Sequence, residues 1–437
     1  MAYRNIRLHP ILRLLYFFFR TLAWLGVGVF FRGRVVLGEE HFHFDGPAIV
    51  VTNHPSTLMD VFNPGLPVRQ EMFFLANFGL FKHPVSNWLL SRLFCIPVKR
   101  REDVAEGEAR DNNAAFKRSF MHLEQHGVLF IAAEGTSWMN RWVREFKTGA
   151  ARIALGTEAR NNWQLGVKIL PVGLSYSAPH LFRSDVVVQG GEPLNVADWR
   201  EIWEKNPELA VLSVTQELRR RVTAQCIDTR DEEGEIFIGQ LEEIWRNERP
   251  LDLRGTFFRS KGFTDRLLDN AALRTTTNRY FEDLQASGVS DSGLAALAQA
   301  GPLPKRAFES LLLILGFPLF AAGYLFWFLP CFLPWWLNKK MDLYVGYSST
   351  VKMLAGLIAF PLALWAAARF IPPVFGWQHA GIPVALSVIA LGLFAERYLD
   401  RIRRARARMG ATRFSKAHPE KFDALMARRN DILEASR

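Results

Sequence analysis

Cysteine is scarce in this chain: three in 437 residues, Cys95, Cys226 and Cys331, far apart in sequence. That excludes a disulfide framework and a cysteine metal knuckle, and it fits a reducing compartment. Zinc-finger spacing, an aromatic RNA-binding motif and a basic recognition helix are all missing, so nucleic acid is not the expected partner. No G-x-S-x-G elbow and no second histidine cluster occur, so neither a serine nucleophile nor a metal centre is expected. There is no internal repeat. A cleaved leader is not expected either. The apolar run 11–31, ILRLLYFFFRTLAWLGVGVFF, is too long for one, holds Arg13 and Arg20, and lacks a small-x-small exit.

Positive charge and apolar residues are abundant instead. Lys and Arg number 54 against 43 Asp and Glu, a net charge of +11, and 49% of residues are hydrophobic. The charge favours phosphate-bearing substrates or acidic lipid head groups. The hydropathy divides the chain into an aqueous part and a membranous part.

Five regions are expected. Residues 1–33 hold an apolar helix whose two arginines favour an interfacial position over a clean span, because a buried guanidinium is costly in hydrocarbon. Residues 34–196 alternate short β-rich runs with helical stretches. The runs are RVVLG (34–38), AIVVT (48–52), MFFLA (72–76), FCIPV (94–98), VLFIAA (128–133), VKILPVGL (167–174) and VVVQ (186–189), with helices over 104–126 and 148–162. Most runs are continuously apolar, as strands buried on both faces are, so the fold class is α/β with helices on both faces of a sheet. Residues 197–305 read as a helical extension. Residues 306–399 are membranous: 353–375 and 380–396 are expected to form a spanning hairpin, with 311–337 re-entrant, interfacial or a tight hairpin in one leaflet. Residues 400–437 are expected to form a basic cytoplasmic tail, by the positive-inside rule.

In an open α/β sheet, chemistry gathers where strands end and loops lead into helices. At one such end stands NHPSTLMD, residues 53–60. Pro55 suits the first helical position, which leaves His54 outside the helix and Asp60 in its second turn. Histidine titrates near neutrality and can accept a hydroxyl proton, and a carboxylate can fix its tautomer. The bland alternative is a helix cap followed by a solvated carboxylate. With no protein nucleophile in sight, the attacking hydroxyl is expected to belong to the substrate. Other strand ends carry Glu134, Gly135, Thr136 and Ser137, then Lys147 ahead of a helix at Gly149, and the cations Lys99 and Arg100. Hydroxyls, a helix N-terminus and arginine all suit a phosphate.

Together these motifs resemble the glycerolipid acyltransferase family, the glycerol-3-phosphate and lysophosphatidate acyltransferases. NHPSTLMD is similar to its His–Asp motif, FCIPVKR to its arginine block, AAEGTS to its Glu-Gly block, FKTGAARIAL to the segment that follows and ILPVGL to its proline motif. Two departures stand out. Five residues separate His54 from Asp60 where four are commoner, which resembles a longer-spaced branch of the family. Ser137 stands where arginine is frequent, and Arg141, Arg144 or Lys147 could replace that charge.

The resemblance implies a mostly parallel sheet and a membrane-bound O-acyltransferase of phosphatidate synthesis. His54 would be the base and Asp60 would orient it. Lys99, Arg100 and Lys147 would hold the acceptor phosphate, and Glu134, Gly135, Thr136 and Ser137 would position the glycerol phosphate. Pro171 and Val172 would shape the acyl side. No metal or prosthetic group is implied; acyl-CoA or an acidic acyl-carrier protein is the co-substrate. The implied partners are the acyl donor, a phosphorylated glycerol acceptor and anionic lipid. The expected location is a bacterial inner membrane, with the catalytic domain facing the cytoplasm. A lysophospholipid-remodelling enzyme and a catalytically inactive membrane scaffold are the competing readings.

Overall fold

A computed structural model describes residues 9–93, 95–99, 111–377 and 379–437. The chain separates into two compact units, Met1–Arg230 with Tyr344–Thr350, and Asp231–Leu343 with Val351–Arg437.

In the first unit the apolar runs become strands. They are β1 (Gly33–Leu37), β2 (Ala48–Thr52), β3 (Met72–Asn77), β4 (Cys95–Val98), β5 (Val128–Ala132), β6 (Lys168–Tyr176), β7 (Asp185–Gly190) and a short β8 (Leu194–Asn195). Their order is β1-β7-β6-β2-β5-β3-β4, with β8 beside β6. β1–β7, β2–β5, β2–β6, β3–β4 and β3–β5 are parallel, whereas β6–β7 and β6–β8 run antiparallel. β2 is central, and all five of its residues are buried. Ile49, Val50 and Val51 are each worth about 1.5–3 kcal/mol of burial, which is why this run tolerates no alternation.

The helices of this unit are α1 (Pro10–Phe30), α2 (Met59–Gly65), α3 (Pro84–Leu93), α4 (Asn113–Glu124), α5 (Gly149–Arg160), α6 (Arg200–Lys205) and α7 (Pro207–Gln225). Ala150, Ile153 and Ala154 of α5 and Ala210, Val214 and Leu218 of α7 share one core with Ile49, Val51 and Ile169 of the sheet. Residues 197–230, the start of the expected helical extension, are mostly helical and group with the first unit. The pattern of α7 looked like a surface helix because its Glu217, Arg220 and Arg221 pair along the outer face.

α1 lays one face, with Tyr16, Val27 and Phe30, on the unit and leaves Ile11, Leu14, Phe18 and Trp24 exposed. Its arginines point to protein partners: Arg13 pairs with Glu71 at 2.7 Å, and Arg20 donates to the Leu66 carbonyl at 2.8 Å. The Arg13 side chain stays 63% exposed despite that pairing, while Arg20 is partly buried.

The second unit is helical: α8 (Glu232–Glu248), α9 (Leu253–Arg266), α10 (Ala271–Ser287), α11 (Asp291–Ala298), α12 (Leu303–Met341), most of α13 (Ser348–Val374), α14 (Gly381–Ala417) and α15 (Pro419–Ala435). α12 is one helix of 39 residues despite Pro318, Pro330 and Pro334 inside it. At 1.5 Å per residue it is about 58 Å long, which excludes the expected re-entrant loop or tight hairpin. Apolar helices tolerate such prolines where neighbours supply the lost contacts. Here the Trp327 indole donates to the Val388 carbonyl of α14, and Gly323 leaves no room for a side chain against Leu391. Residues 400–437, the expected basic tail, are helical. α14 continues to Ala417, and α15 buries Leu425, Ile432 and Leu433 beside Phe237 and Leu241 of α8. Arg429, 2% exposed, pairs with Asp291 at 2.8 Å and Glu248 at 2.7 Å. Among the described residues four helices, α1, α12, α13 and α14, are long and apolar enough to cross a membrane.

Candidate active site

The site forms where β2 ends. Asn53 follows the strand, and its side-chain amide pairs twice with β6: Nδ2 donates to the Leu174 carbonyl at 2.9 Å and Oδ1 accepts the Leu174 N–H at 2.8 Å. The amide thus extends the ladder by one rung and fixes the departure of the loop. His54 comes next. Its carbonyl accepts the Trp138 N–H at 2.9 Å, and its own N–H donates to Glu134 Oε1 at 3.2 Å.

Pro55 does not open a helix. The chain makes a turn first, with Thr57 in the left-handed region at φ 44°, and α2 starts at Met59. Asp60 therefore lies in the first turn of α2 and not the second. The extra turn brings it back under the histidine: His54 Nδ1 and Asp60 Oδ2 are 2.8 Å apart. Asp60 is completely buried and the His54 side chain is 12% exposed. With Nδ1 bonded to the carboxylate, Nε2 is the nitrogen left for a substrate proton.

Asp60 has further partners that sequence reasoning missed. The Ser56 N–H donates to Oδ2 at 2.6 Å, and the Tyr176 hydroxyl donates to Oδ1 at 2.8 Å. Asn63 then donates to the Tyr176 oxygen at 3.3 Å, and Arg34 donates to Asn63 Oδ1 at 3.1 Å and to its carbonyl at 2.8 Å. Burial, reinforced by the Asp60 charge, raises the Tyr176 phenol well above its usual range, so it stays a donor. No sequence signal could have found Tyr176, because it lies 116 residues beyond Asp60 at the end of β6.

Glu134 is buried at the end of β5, and burial raises its carboxyl to about 7; the Asp60 charge adds to the rise while the His54 N–H and Arg144 oppose it. Gly135 turns the chain at φ 78°, and a Cβ there would come within 3.3 Å of Lys147 Cγ. The Lys147 side chain therefore runs alongside the Glu-Gly turn. Thr136 is half-buried. Ser137 is buried, and its Oγ accepts the Thr57 N–H at 3.2 Å, so its hydroxyl supports the histidine loop. Arg144 stacks on Trp138 at 4.0 Å and also faces Trp142 at 5.2 Å, and its carbonyl accepts from Arg219 of α7 at 3.2 Å.

Two predicted site residues are not brought to this cluster. Lys99 ends β4 at the edge of the sheet, three strand spacings or about 14 Å from β2, with its ammonium 5.5 Å from the Phe78 ring centre. Pro171 is buried in the sheet beside Val51, where β6 changes partner from β8 to β7 and no ladder bond is asked of a missing N–H. Val172 lies next to it. Arg100 lies outside the described residues. Among those residues no cluster of His, Cys, Asp and Glu is arranged for a metal.

The chain is similar to known acyltransferases over part of its length. The acyltransferase family model matches residues 34–175. Glycerol-3-phosphate O-acyltransferase 1 of Saccharomyces cerevisiae is 31% identical over 124 residues, which cover 27% of this chain and 16% of that protein. The chloroplastic 1-acyl-sn-glycerol-3-phosphate acyltransferase LPAT1 of Arabidopsis thaliana is 28% identical over 130 residues, 30% of this chain and 32% of that one. The match thus spans less than a third of either relative. The crystal structure of the 1-acyl-sn-glycerophosphate acyltransferase PlsC from Thermotoga maritima aligns with a TM-score of 0.34 at 23% identity, covering 49% of this chain and 81% of that one. The His–Asp pair and the Glu-Gly turn both lie inside the stretch that the acyltransferase family model matches.

Proposed function

We propose that the protein is a membrane-bound O-acyltransferase that moves a fatty acyl group from a thioester, acyl-CoA or acyl-carrier protein, to the hydroxyl of glycerol 3-phosphate or 1-acylglycerol 3-phosphate. The observation that carries this reading is the 2.8 Å bond between His54 Nδ1 and buried Asp60, at the mouth of a central parallel strand. In this reading His54 Nε2 takes the acceptor's hydroxyl proton as the oxygen attacks the thioester carbonyl. Asp60 stabilises the imidazolium that forms. Collapse of the tetrahedral intermediate breaks the C–S bond, and the imidazolium returns the proton to the departing sulfur. An ester and a free thiol result, and His54 is neutral again.

Arg144 is the best-placed replacement for the arginine that Ser137 displaces. Its charge is felt at Glu134, and two tryptophans hold its plane. Lys147 beside Gly135 adds a second cation. Phosphorylated acceptors are therefore favoured over neutral ones. Membrane attachment is supported by the four apolar helices and by the exposed apolar face of α1. The arginine-rich stretch after Glu396 supports a cytoplasmic catalytic unit in a bacterial inner membrane.

The test is acyl transfer in membranes holding the wild-type chain or His54→Ala, with labelled acyl-CoA and each acceptor in turn. Transfer to one acceptor that is lost in the variant supports the reading and identifies the step. Equal transfer by both proteins removes His54 from the mechanism.

A further inference from the structure

We infer that Tyr344–Thr350, the segment joining α12 to α13 far beyond the family-matched stretch, is a working part of the active site: it positions the loop between His54 and Asp60. The inference deepens the acyl-transfer reading and rests on it.

Tyr344–Thr350 groups with the catalytic unit, while the helices to either side of it do not. It meets the histidine loop through three polar contacts and the neighbouring Ser137 through a fourth. The Thr57 hydroxyl donates to the Gly346 carbonyl at 2.9 Å and lies 3.4 Å from Thr350 Oγ1. Ser56 Oγ and Ser349 Oγ are 2.9 Å apart. The Tyr344 hydroxyl donates to the Ser137 carbonyl at 2.7 Å, and Ser137 Oγ in turn accepts from the Thr57 N–H. Ser348, Ser349 and Thr350 are buried although they open a helix that is otherwise apolar and largely exposed. Gly346 is fitted to the contact: a Cβ there would lie 2.6 Å from the Tyr344 ring and 3.2 Å from Thr57 Cγ2.

The contacts matter because of where the loop leads. Thr57 is β-branched yet left-handed, a conformation that needs outside support. Its neighbour Ser56 points its N–H at Asp60 Oδ2, the oxygen that holds His54. Fixing the Ser56 side chain and the Thr57 hydroxyl therefore aims a donor at the catalytic carboxylate. Thr57 kinks the loop, Ser137 satisfies its N–H, and Gly346 accepts from its hydroxyl. Thr57, Gly346 and Ser349 are positioning residues in this scheme and touch no substrate.

The experiment uses the full chain in membranes. Thr57→Val removes the hydroxyl while keeping the shape, and Thr57→Ser keeps the hydroxyl. We expect Thr57→Val to lower kcat about tenfold with KM changed less than about twofold, and Thr57→Ser to restore kcat to within about twofold of wild type. Separately, Ser56→Cys with Ser349→Cys, in a chain whose exposed Cys331 is replaced by alanine, should form a disulfide on mild oxidation, read as a gel-mobility shift. The double variant should show the same activity cross-linked as after reduction. Failure of the cross-link would overturn the docking. A cross-linked enzyme that is inactive until reduced would show that the segment must leave during turnover, and would overturn the positioning role. Full kcat in Thr57→Val would overturn it as well. A cross-link that forms in a protein with no activity on either acceptor would instead sink the acyl-transfer reading, and the catalytic part of this inference with it.

Discussion

The Tyr176 hydroxyl and Asp60 Oδ1 lie 2.8 Å apart, so the carboxylate that orients His54 is gripped from its far side by a phenol at the end of the neighbouring strand. Tyr176→Phe removes that donor and leaves a buried carboxylate oxygen short of a partner. Such a loss is worth roughly 1–3 kcal/mol. The expected outcome is a fall in kcat of about tenfold with substrate KM nearly unchanged, measured on protein shown to be folded. An unchanged kcat would reduce Tyr176 to a packing residue.

Asp60→Asn should be more severe. The amide keeps the shape but cannot stabilise the imidazolium, and it can favour the wrong tautomer of His54. Activity should fall by about a hundred- to ten-thousand-fold. His54→Ala should do the same, and the double variant should be little worse than either single one, because the two residues act as a unit.

Arg144→Ala tests the phosphate assignment. Removing the guanidinium should raise KM for the phosphorylated acceptor by about tenfold or more and leave KM for the acyl donor nearly unchanged. Added salt should weaken acceptor binding by the wild type more than by the variant. Equal KM values in both proteins would move the phosphate site elsewhere, with Lys147 the next residue to change.

Glu134 makes a prediction about pH. Burial, first, and the Asp60 charge lift its carboxyl to about 7 in the folded chain, above its ordinary 4.5. The folded state therefore holds this proton more tightly than the unfolded state between those values. Stability from this group is greatest below about 4.5, declines as pH rises, and levels off above about 7. The full span is at most roughly 3 kcal/mol. Glu134→Gln should flatten that part of the stability profile, measured by thermal unfolding from pH 5 to 8. The same slope in the variant would place the proton elsewhere.

Much of the catalytic unit was legible because its strands are buried on both faces. A run such as AIVVT has few other ways to satisfy its burial, and the loop after it can only emerge at the sheet's edge. His54 and Asp60 were legible because a proline between them forces the chain off the strand, although it starts a turn and not the helix that its φ would suit. Tyr176, Asn63 and Arg34 were not legible. They reach Asp60 across the sheet, and nothing in local spacing records which strands become neighbours. The place of Lys99 was not legible for the same reason: it follows β4, which falls at the margin of the sheet. The packing of α7 was hidden by a charged outer face. The continuity of α12 was hidden by prolines that act as breakers in water and are tolerated in an apolar helix.

Asn53 has a bearing on how such a site could be altered. Because its amide stands in for one more strand residue, His54 hangs from the sheet's own ladder. The stretch from Glu134 to Lys147 meets the histidine differently, through the Glu134 carboxylate and the Trp138 N–H. The two are thus anchored by separate means: a substitution at Asn53 should displace the histidine, whereas one within the turn should leave it in place.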